Sequence, residues 1–501
     1  MIHNGRPERV FMIRTPEADR KQGVRRIPLF AVVACLGFAA VLIADWPGHF
    51  APDSVWQLAQ GRSGVYNGWH PPVMAWLLGI ADRIVPGAPL FFVLDTALFF
   101  GALAALMALR PRPNLLGAAV LALLAASPLV LIYQGLVLKD VLFADVAVAG
   151  FAALAWAGRL WAYRLARIAL IAIALMLLTL ALLARQNGMV AALGGALTLG
   201  AIAAAGGRSG GGGRAALRFL AAAVIILVVM GAVGGAATLA LATRSDRSPE
   251  AHHELSTLEV YDLVGAVHRD PGFPMPVLHR QAPAFELFLR HDAVKVYDPA
   301  RMDPIARIPG WDDMIVAPGP GLGAQWRQLI TASPLLYLRV RAEVFRQVFM
   351  TPNVRACAPV LTGVDGGDQD MLRAAGLKAR ESDKDDWDSD YGQAFLGTPA
   401  FSHVFYAVIA VILLILAVRD LRRGGPPDRI APLIAVIGLL GSALVFAASF
   451  FPISIACDYR YLYFLDAATM AGLAHRAAGW RLPWRPRPQT PLHAGAKEGM
   501  D

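Results

Sequence analysis

The sequence predicts an all-α polytopic membrane protein with about ten transmembrane helices, a helical region in the first outer loop and one α-rich insert on the outer side. Three observations lead there. Of 501 residues, 56% are hydrophobic and only 17% are charged, with a mean hydropathy of +0.50. That is too little polar surface for a soluble chain of this size. Apolar runs close to the ~20 residues that a helix needs to cross a bilayer recur along the chain. The basic residues gather in short connections between those runs, as topology signals do. The net charge of +9 is therefore read as orientation, and no nucleic-acid partner is expected.

The elements follow in order. A basic leader, residues 1–27, carries Arg6, Arg9, Arg14, Arg20, Lys21, Arg25 and Arg26 and holds the N-terminus in the cytoplasm. Helix 28–44 is read as a retained first span, not a cleaved signal peptide. Further spans are expected at 89–109, 114–133, 141–158, 166–184, 188–206, 217–243, 400–418, 431–451 and 460–475. The segment 71–85, "PPVMAWLLGIADRIV", is too short to cross and ends in Asp82 and Arg83. It reads as an interfacial or re-entrant helix whose Pro71 and Pro72 suit a first turn. Counting helices alternately makes every predicted inner loop basic: Arg110 and Arg112; Arg159, Arg164 and Arg167; Arg208 and Arg214; Arg419, Arg422, Arg423 and Arg429. The tail, 476–501, is basic too, so both termini are cytoplasmic. The preference for Arg over Lys and the wealth of Ala and Gly fit a GC-rich bacterial source and hence an inner membrane.

Three larger blocks result. Residues 28–243 hold helices one to seven with the first outer loop at 45–88, 244–399 form a periplasmic insert, and 400–475 hold the last three helices. Within the first block, "GRSGGGGR" at 207–214 reads as a flexible linker. In the insert, "AQWRQLITASPLLYLRVRAEVFRQVF" reads as one amphipathic helix lying on the membrane, with Trp326, Leu329, Leu336 and Val340 near one face. Cys35, Cys357 and Cys457 make neither a disulfide framework nor a metal spacing. Cys357 and Cys457 both fall in outer segments, and the sequence leaves their pairing open.

The unusual polar stretches all fall on the outer side: "DWPGHFAPDS" and "NGWHPP" after helix one, "YQGLVLKD", "ARQNG" and "CDYRY". One outward-facing site would gather Asp53, His70, Lys139, Asp140, Arg185, Asn187, Asp458, Arg460 and Tyr461. Each has a plainer reading. Asp53 and Asp140 would cap helices, the three cations would anchor lipid headgroups, and Asn187-Gly188 would be a turn. Jointly these weaken, because an outer loop needs no cation for topology and three appear, each beside a polar partner. Cations at a membrane boundary suit a lipid-linked phosphate or pyrophosphate. Asp95 and Asp145 lie inside predicted helices, where a charge costs about 2.5–3.5 kcal/mol. They are expected to face the bundle interior and pair with a buried cation or hydroxyl.

Other signals are weaker. "SDKDDWDSD" at 382–390 spaces acids like a calcium loop, but its glycine falls late and no Glu follows, so a solvated acidic run is expected. His252-His253-Glu254 lacks zinc spacing. No Walker loop or dinucleotide fingerprint occurs.

A basic N-terminus, one helix, a long outer loop with a carboxylate and then an aromatic–His–Pro–Pro segment together resemble the GT-C superfamily of membrane glycosyltransferases. Protein O-mannosyltransferases and lipid A aminoarabinose transferases belong to it. "LKDVLF", "ARQNG" and "DYRYLY" are similar to an uncharacterised bacterial branch, and "WRQLITASPLLYLRVRAEVF" resembles a segment of that branch's outer domain. The resemblance covers most of 28–475. It implies a polyprenyl-phosphate sugar donor, a lipid or polysaccharide acceptor and transfer on the outer face. It maps the catalytic acid onto Asp53, with Asp45 as runner-up, and the donor phosphate onto Lys139, Arg185 and Arg460. Trp56, Gln57, His70, Asp140, Asn187, Asp458 and Tyr461 are assigned to the pocket. The adjacent Asp–Glu pair of the protein mannosyltransferases is missing, which disfavours a protein acceptor. No metal ligand is assigned, and assistance by a divalent cation (Mg or Mn) is left open. A single base suits inverting displacement. The competing readings are a transporter or flippase of a lipid-linked glycan, which would show repeats and broken helices, and a non-catalytic envelope assembly protein.

Overall fold

A computed structural model of the chain describes residues 28–66, 70–110, 114–206, 212–243, 254–311, 321–365, 367, 369–425 and 427–480. The leader, Asn67–Trp69 of "NGWHPP", most of the 207–214 linker, His252-His253 and the tail beyond 480 lie outside the described residues.

The chain opens with α1 (Leu29–Asp45), a helical hairpin of α2 (Pro52–Ser63) and α3 (Pro72–Ile84), then α4 (Pro89–Ala108). There follow α5 (Leu115–Ala125), α6 (Pro128–Gly135), α7 (Lys139–Arg159), α8 (Arg164–Ala184), α9 (Met189–Gly206) and α10 (Gly212–Ala242). The segment expected to lie outside, called the outer segment from here on, contributes α11 (Glu254–Arg269), α12 (Pro276–Gln281), α13 (Pro283–His291), α14 (Asp303–Ala306), α15 (Leu322–Ala332), α16 (Pro334–Met350), α17 (Gln369–Ala374) and α18 (Asp383–Ala394). The chain then returns through α19 (His403–Arg422), α20 (Pro427–Ser449) and α21 (Tyr463–Ala478). Only isolated β-bridges accompany the helices among the described residues.

The all-α membrane architecture stands, and the ten expected segments differ in length and continuity. Among the described residues seven helices are long and apolar enough to cross a bilayer. The expected span 114–133 is a pair, α5 and α6, bent by 58°. Pro128 lacks an N–H and its ring cannot follow a helical turn, while Ser127 caps the second piece by accepting from Val130 N at 3.3 Å. α1 has 17 residues. The expected 460–475 begins at Tyr463, because Tyr459–Leu462 winds as a 3₁₀ turn. α21 is buried on nearly every side, Asp466 and His475 included, so it is a core helix of the bundle.

The segment 71–85 becomes α3, packed on α2. Gly61 and Gly79 let the two backbones meet: a Cβ on Gly61 would stand 2.8 Å from Gly79 N. Arg62 closes the hairpin, donating Nε to Asp82 Oδ2 at 2.9 Å.

The outer segment feeds two cores. Val260, Tyr261, Val264, Phe273, Leu289, Trp311 and Leu329 form one of their own. Val348, Cys357, Val364, Leu372 and Phe401 join the core of the bundle. The expected single amphipathic helix on the membrane is two helices, α15 and α16, parted at Ser333–Pro334. Its apolar face, Leu329, Val340 and Val344, is buried in protein. Arg341 points inward, wholly buried, paired with Asp262 and donating to Ser454 O at 2.7 Å. Cys357 and Cys457 are disulfide-bonded across a sequence separation of 100.

Gly79→Val should destabilise the protein by at least about 1–3 kcal/mol, since the side chain would meet backbone that cannot yield. Thermal unfolding in detergent, compared with Gly101→Val at an open helical position, measures it.

Candidate active site

Backbone bonds fix the first outer loop before any side chain acts. His49 N donates to Gly135 O at 2.8 Å and Val137 N to His49 O at 3.0 Å. Phe50 N donates to Gly363 O at 2.9 Å and Asp365 N to Phe50 O at 2.9 Å. The loop is thus held between the end of α6 and the outer segment, and α2 starts immediately beyond it. Asp53 is the second residue of α2, whose cap position is Ala51. Asp140 is likewise the second residue of α7, after Leu138 at the cap. Neither carboxylate caps its helix, so the plainer reading of both fails. The turn carrying Asp458 and Arg460 is tied down by the disulfide at Cys457 and by Cys457 N donating to Ala300 O at 2.9 Å.

The side chains from these segments meet. Arg460 Nη1 donates to Asp53 Oδ2 at 2.7 Å and lies 3.7 Å from Asp140 Oδ2. Its Nη2 donates to Asp458 Oδ2 at 3.1 Å. Lys139 Nζ and His70 Nε2 each stand 3.6 Å from Asp53 Oδ2. Lys139 Nζ also donates to His70 Nδ1; an ammonium cannot accept, so the ring proton is assigned to Nε2, facing Asp53. Arg185 pairs with Asp140 and lies over the rings of Phe446, Phe450 and Tyr461 at 5.4–5.8 Å. The cations are 10–13% exposed, which excludes lipid-anchoring side chains at the surface. Asp53 keeps 22% of its side chain exposed, enough for a ligand to reach it.

The electrostatics follow from burial and pairing. Burial alone would raise Asp53, but Arg460 and Lys139, helped by His70, outweigh it and hold the carboxyl well below the usual range. His70 is lowered by burial and by Lys139, against the pull of Asp53. Burial brings Arg185 down to about 10. Arg460, despite burial, is held above its ordinary value by Asp53 and Asp458. Three cations, Lys139, Arg185 and Arg460, face three carboxylates, Asp53, Asp140 and Asp458. The sequence suggested cations awaiting a phosphate; here each has a carboxylate partner.

Eight of the expected residues therefore share one network: Asp53, His70, Lys139, Asp140, Arg185, Asp458, Arg460 and Tyr461. Four stand apart from it. Trp56 is exposed. Gln57 is fully buried on α2 and its amide makes no hydrogen bond. Asn187 donates to Ser449 Oγ at 3.0 Å. Asp45 belongs to a second network with His49, Asp385 and Asp388. There, burial lowers His49 to about 4 and raises Asp388 to about 7.

That second network corrects part of the expectation of a solvated acidic run: Asp383, Asp386 and Asp390 are exposed, but Asp385 and Asp388 are buried. α18 begins with a capping box between Ser382 and Asp385, and its Asp385 and Asp388 face inward. The four-residue spacing of Asp45 and His49, and three-residue spacing of Asp385 and Asp388, are the signals that could have found it. Deeper in the bundle, Gln134 Nε2 donates to Asp145 Oδ1 and Oδ2 at 3.1 and 3.0 Å and to Tyr463 OH at 3.1 Å. Asp145 does face the interior as expected, but its partner is an amide rather than a cation or hydroxyl. Asp95 is buried near it, with Oδ1 unpaired.

No family model matches the sequence, and no curated protein matches it. Among solved structures, the archaeal oligosaccharyltransferase AglB from Archaeoglobus fulgidus, in complex with an inhibitory peptide and a dolichol-phosphate, aligns with 89% of this chain and 50% of its own, at 14% identity and a TM-score of 0.36. This chain thus spans about half the length of that protein. Resemblance at that level leaves the chemistry to be argued from this chain's own residues.

Two outcomes test the site. Arg460→Ala should destabilise the protein by about 1.5–3 kcal/mol, because Asp458 loses its cation and Asp53 loses a charge-assisted hydrogen bond while keeping Lys139 at 3.6 Å. The stability supplied by Asp53 is complete above its unfolded pKa of about 3.9 and is lost as pH falls through the lower folded value. Thermal scans should therefore show a difference between wild type and Asp53→Asn above about pH 5 that closes as pH falls below about 4.

Proposed function

We propose that this chain is a membrane glycosyltransferase of the GT-C kind, moving a sugar from a polyprenyl-phosphate donor to a lipid, glycan or cell-wall acceptor. The observation that carries the reading is the partly exposed Asp53 carboxylate facing Arg460, Lys139 and His70, with Arg185 beside them. These are a base and a set of phosphate-binding cations, drawn from five separate outer segments to one edge of the bundle. Loop 45–88 then acts as the catalytic loop and 244–399 as the periplasmic insert.

Two features favour an extracytoplasmic site in a bacterial inner membrane with both termini inside. The basic ends of the helices lie opposite the site: Arg110 donates to His475 O at 3.0 Å there, and Arg476 pairs with Asp420. Disulfides such as Cys357–Cys457 persist in oxidising compartments.

The chemistry uses this chain's residues as follows. An arriving lipid phosphate draws Arg460 and Lys139 away from Asp53, which loses its counter-charges and becomes a stronger base. Asp53 takes the proton of the acceptor hydroxyl, the oxygen attacks the anomeric carbon, and the bond to the phosphate oxygen breaks with its electron pair. Lys139, Arg185 and Arg460 stabilise the charge left on the departing phosphate. A single base gives inversion. His70 lines the carboxylate, its Nε2 standing 3.6 Å from Asp53 Oδ2.

The α5–α6 break and the buried Asp95–Asp145 pair favour a second reading, a transporter of a lipid-linked glycan. Asp53→Asn separates the two. Transfer from undecaprenyl-phosphate-linked sugars in membrane vesicles should fall by about 10²–10⁴-fold, while donor binding and the thermal midpoint at neutral pH stay measurable. Unchanged transfer would remove Asp53 from the mechanism, and flipping without any transfer would favour the transporter.

A further inference from the structure

A second cluster of ionisable side chains lies where α1, the first outer loop and α18 meet, and the proposed transfer makes no use of it. Asp45 ends α1, His49 follows four residues later, and Asp388 sits on the inward face of α18; their exposures are 1%, 1% and 2%. One donor atom from each lies within 4.8 Å of the others. His49 Nε2 is 3.0 Å from Asp45 Oδ1 and 3.8 Å from Asp388 Oδ2. Asp45 Oδ2 and Asp388 Oδ2 are buried and receive no hydrogen bond.

Buried carboxylates cost several kcal/mol each unless an opposite charge meets them. Here the balance is short. Asp45, Asp385 and Asp388 face one guanidinium, Arg380, which reaches Asp385 Oδ1 at 3.3 Å and Gly48 O at 3.1 Å. The nearby Lys384 turns its ammonium to Ile43 O at 2.8 Å. A dication would meet both carboxyl groups that Arg380 does not reach. The Asp53 site offers no comparable cage, since cations already surround its carboxylate.

We propose that Asp45, His49 and Asp388 bind a divalent transition-metal ion of the zinc or manganese class, which fastens the first outer loop to the outer segment. One imidazole nitrogen and two carboxylate oxygens are the donors such ions take. Asp385 Oδ1, 3.3 Å from His49 Nδ1, is the outer partner that orients the ring. Without the ion, Nδ1 accepts from Gly363 N at 2.9 Å, so the ring proton lies on Nε2. Binding at Nε2 shifts that proton to Nδ1, which then donates to Asp385, and the N–H groups of Gly363 and Arg380 that face Nδ1 give way. Gly135 completes the site by letting α6 close directly against the Asp45 side chain, where a Cβ would not fit.

The test is independent of sugar transfer. Full-length protein, purified in detergent without chelator, is analysed for metals, stripped with EDTA, and titrated separately with Zn²⁺ and Mn²⁺ while thermal unfolding is followed. The expected result is about one ion per chain, a midpoint lowered by stripping, and its recovery with one of the two ions. His49→Ala and the isosteric Asp388→Asn should each abolish the recovery, and Asp53→Asn should retain it. Stripped wild type that shows no shift with either ion overturns the proposal. So does a shift that survives Asp388→Asn, or a metal-free protein in which Asp45 and Asp388 simply share a proton.

Discussion

The bond between Arg460 and Asp53 joins residues 407 apart in sequence, and this end of the bundle is arranged around it. Asp53 is placed by a loop sewn through backbone hydrogen bonds to the end of α6 and to the outer segment. Arg460 is placed by a 3₁₀ turn that a disulfide anchors one end of. Neither group would be stable alone at this depth, because a buried unpaired charge is expensive. The fold must therefore bring both ends of the chain together, and α21 does so by threading the centre of the bundle.

Much of this was readable in the sequence because it rests on composition and on charge that topology does not require. Hydropathy located the apolar segments. The outer cations Lys139, Arg185 and Arg460 stood out because short outer connections normally lack them, and the structure brings all three to one network. What escaped was set by packing or by local geometry. Pro128 lies inside an apolar run, and hydropathy alone does not register a bend. Arg341 carries no signal of burial in its own segment, because Asp262, 79 residues earlier, receives it in the interior. The acidic run at 382–390 looked solvated because the loop that buries Asp385 and Asp388 begins more than three hundred residues earlier.

The two acidic networks also differ in kind. Around Asp53 the positive charge comes from side chains, which are flexible and can change partners. Around Asp45 the donors are short, buried and fixed by α1 and α18. One arrangement suits exchange with a ligand; the other suits permanence. Their proximity in the first loop, eight residues apart in the chain, means that rigidity at Asp45 and His49 sets the starting point from which α2 presents Asp53.

The exact matching of cations to carboxylates at the Asp53 site has a consequence for turnover. On the proposed reading, the donor is a phosphodiester with one negative charge, and the spent carrier is a monoester with nearly two. The same side chains that ease departure of the sugar then grip the leftover lipid more firmly than they gripped the donor. Release of the used carrier, helped by the carboxylates reclaiming their partners, would set the pace of each cycle.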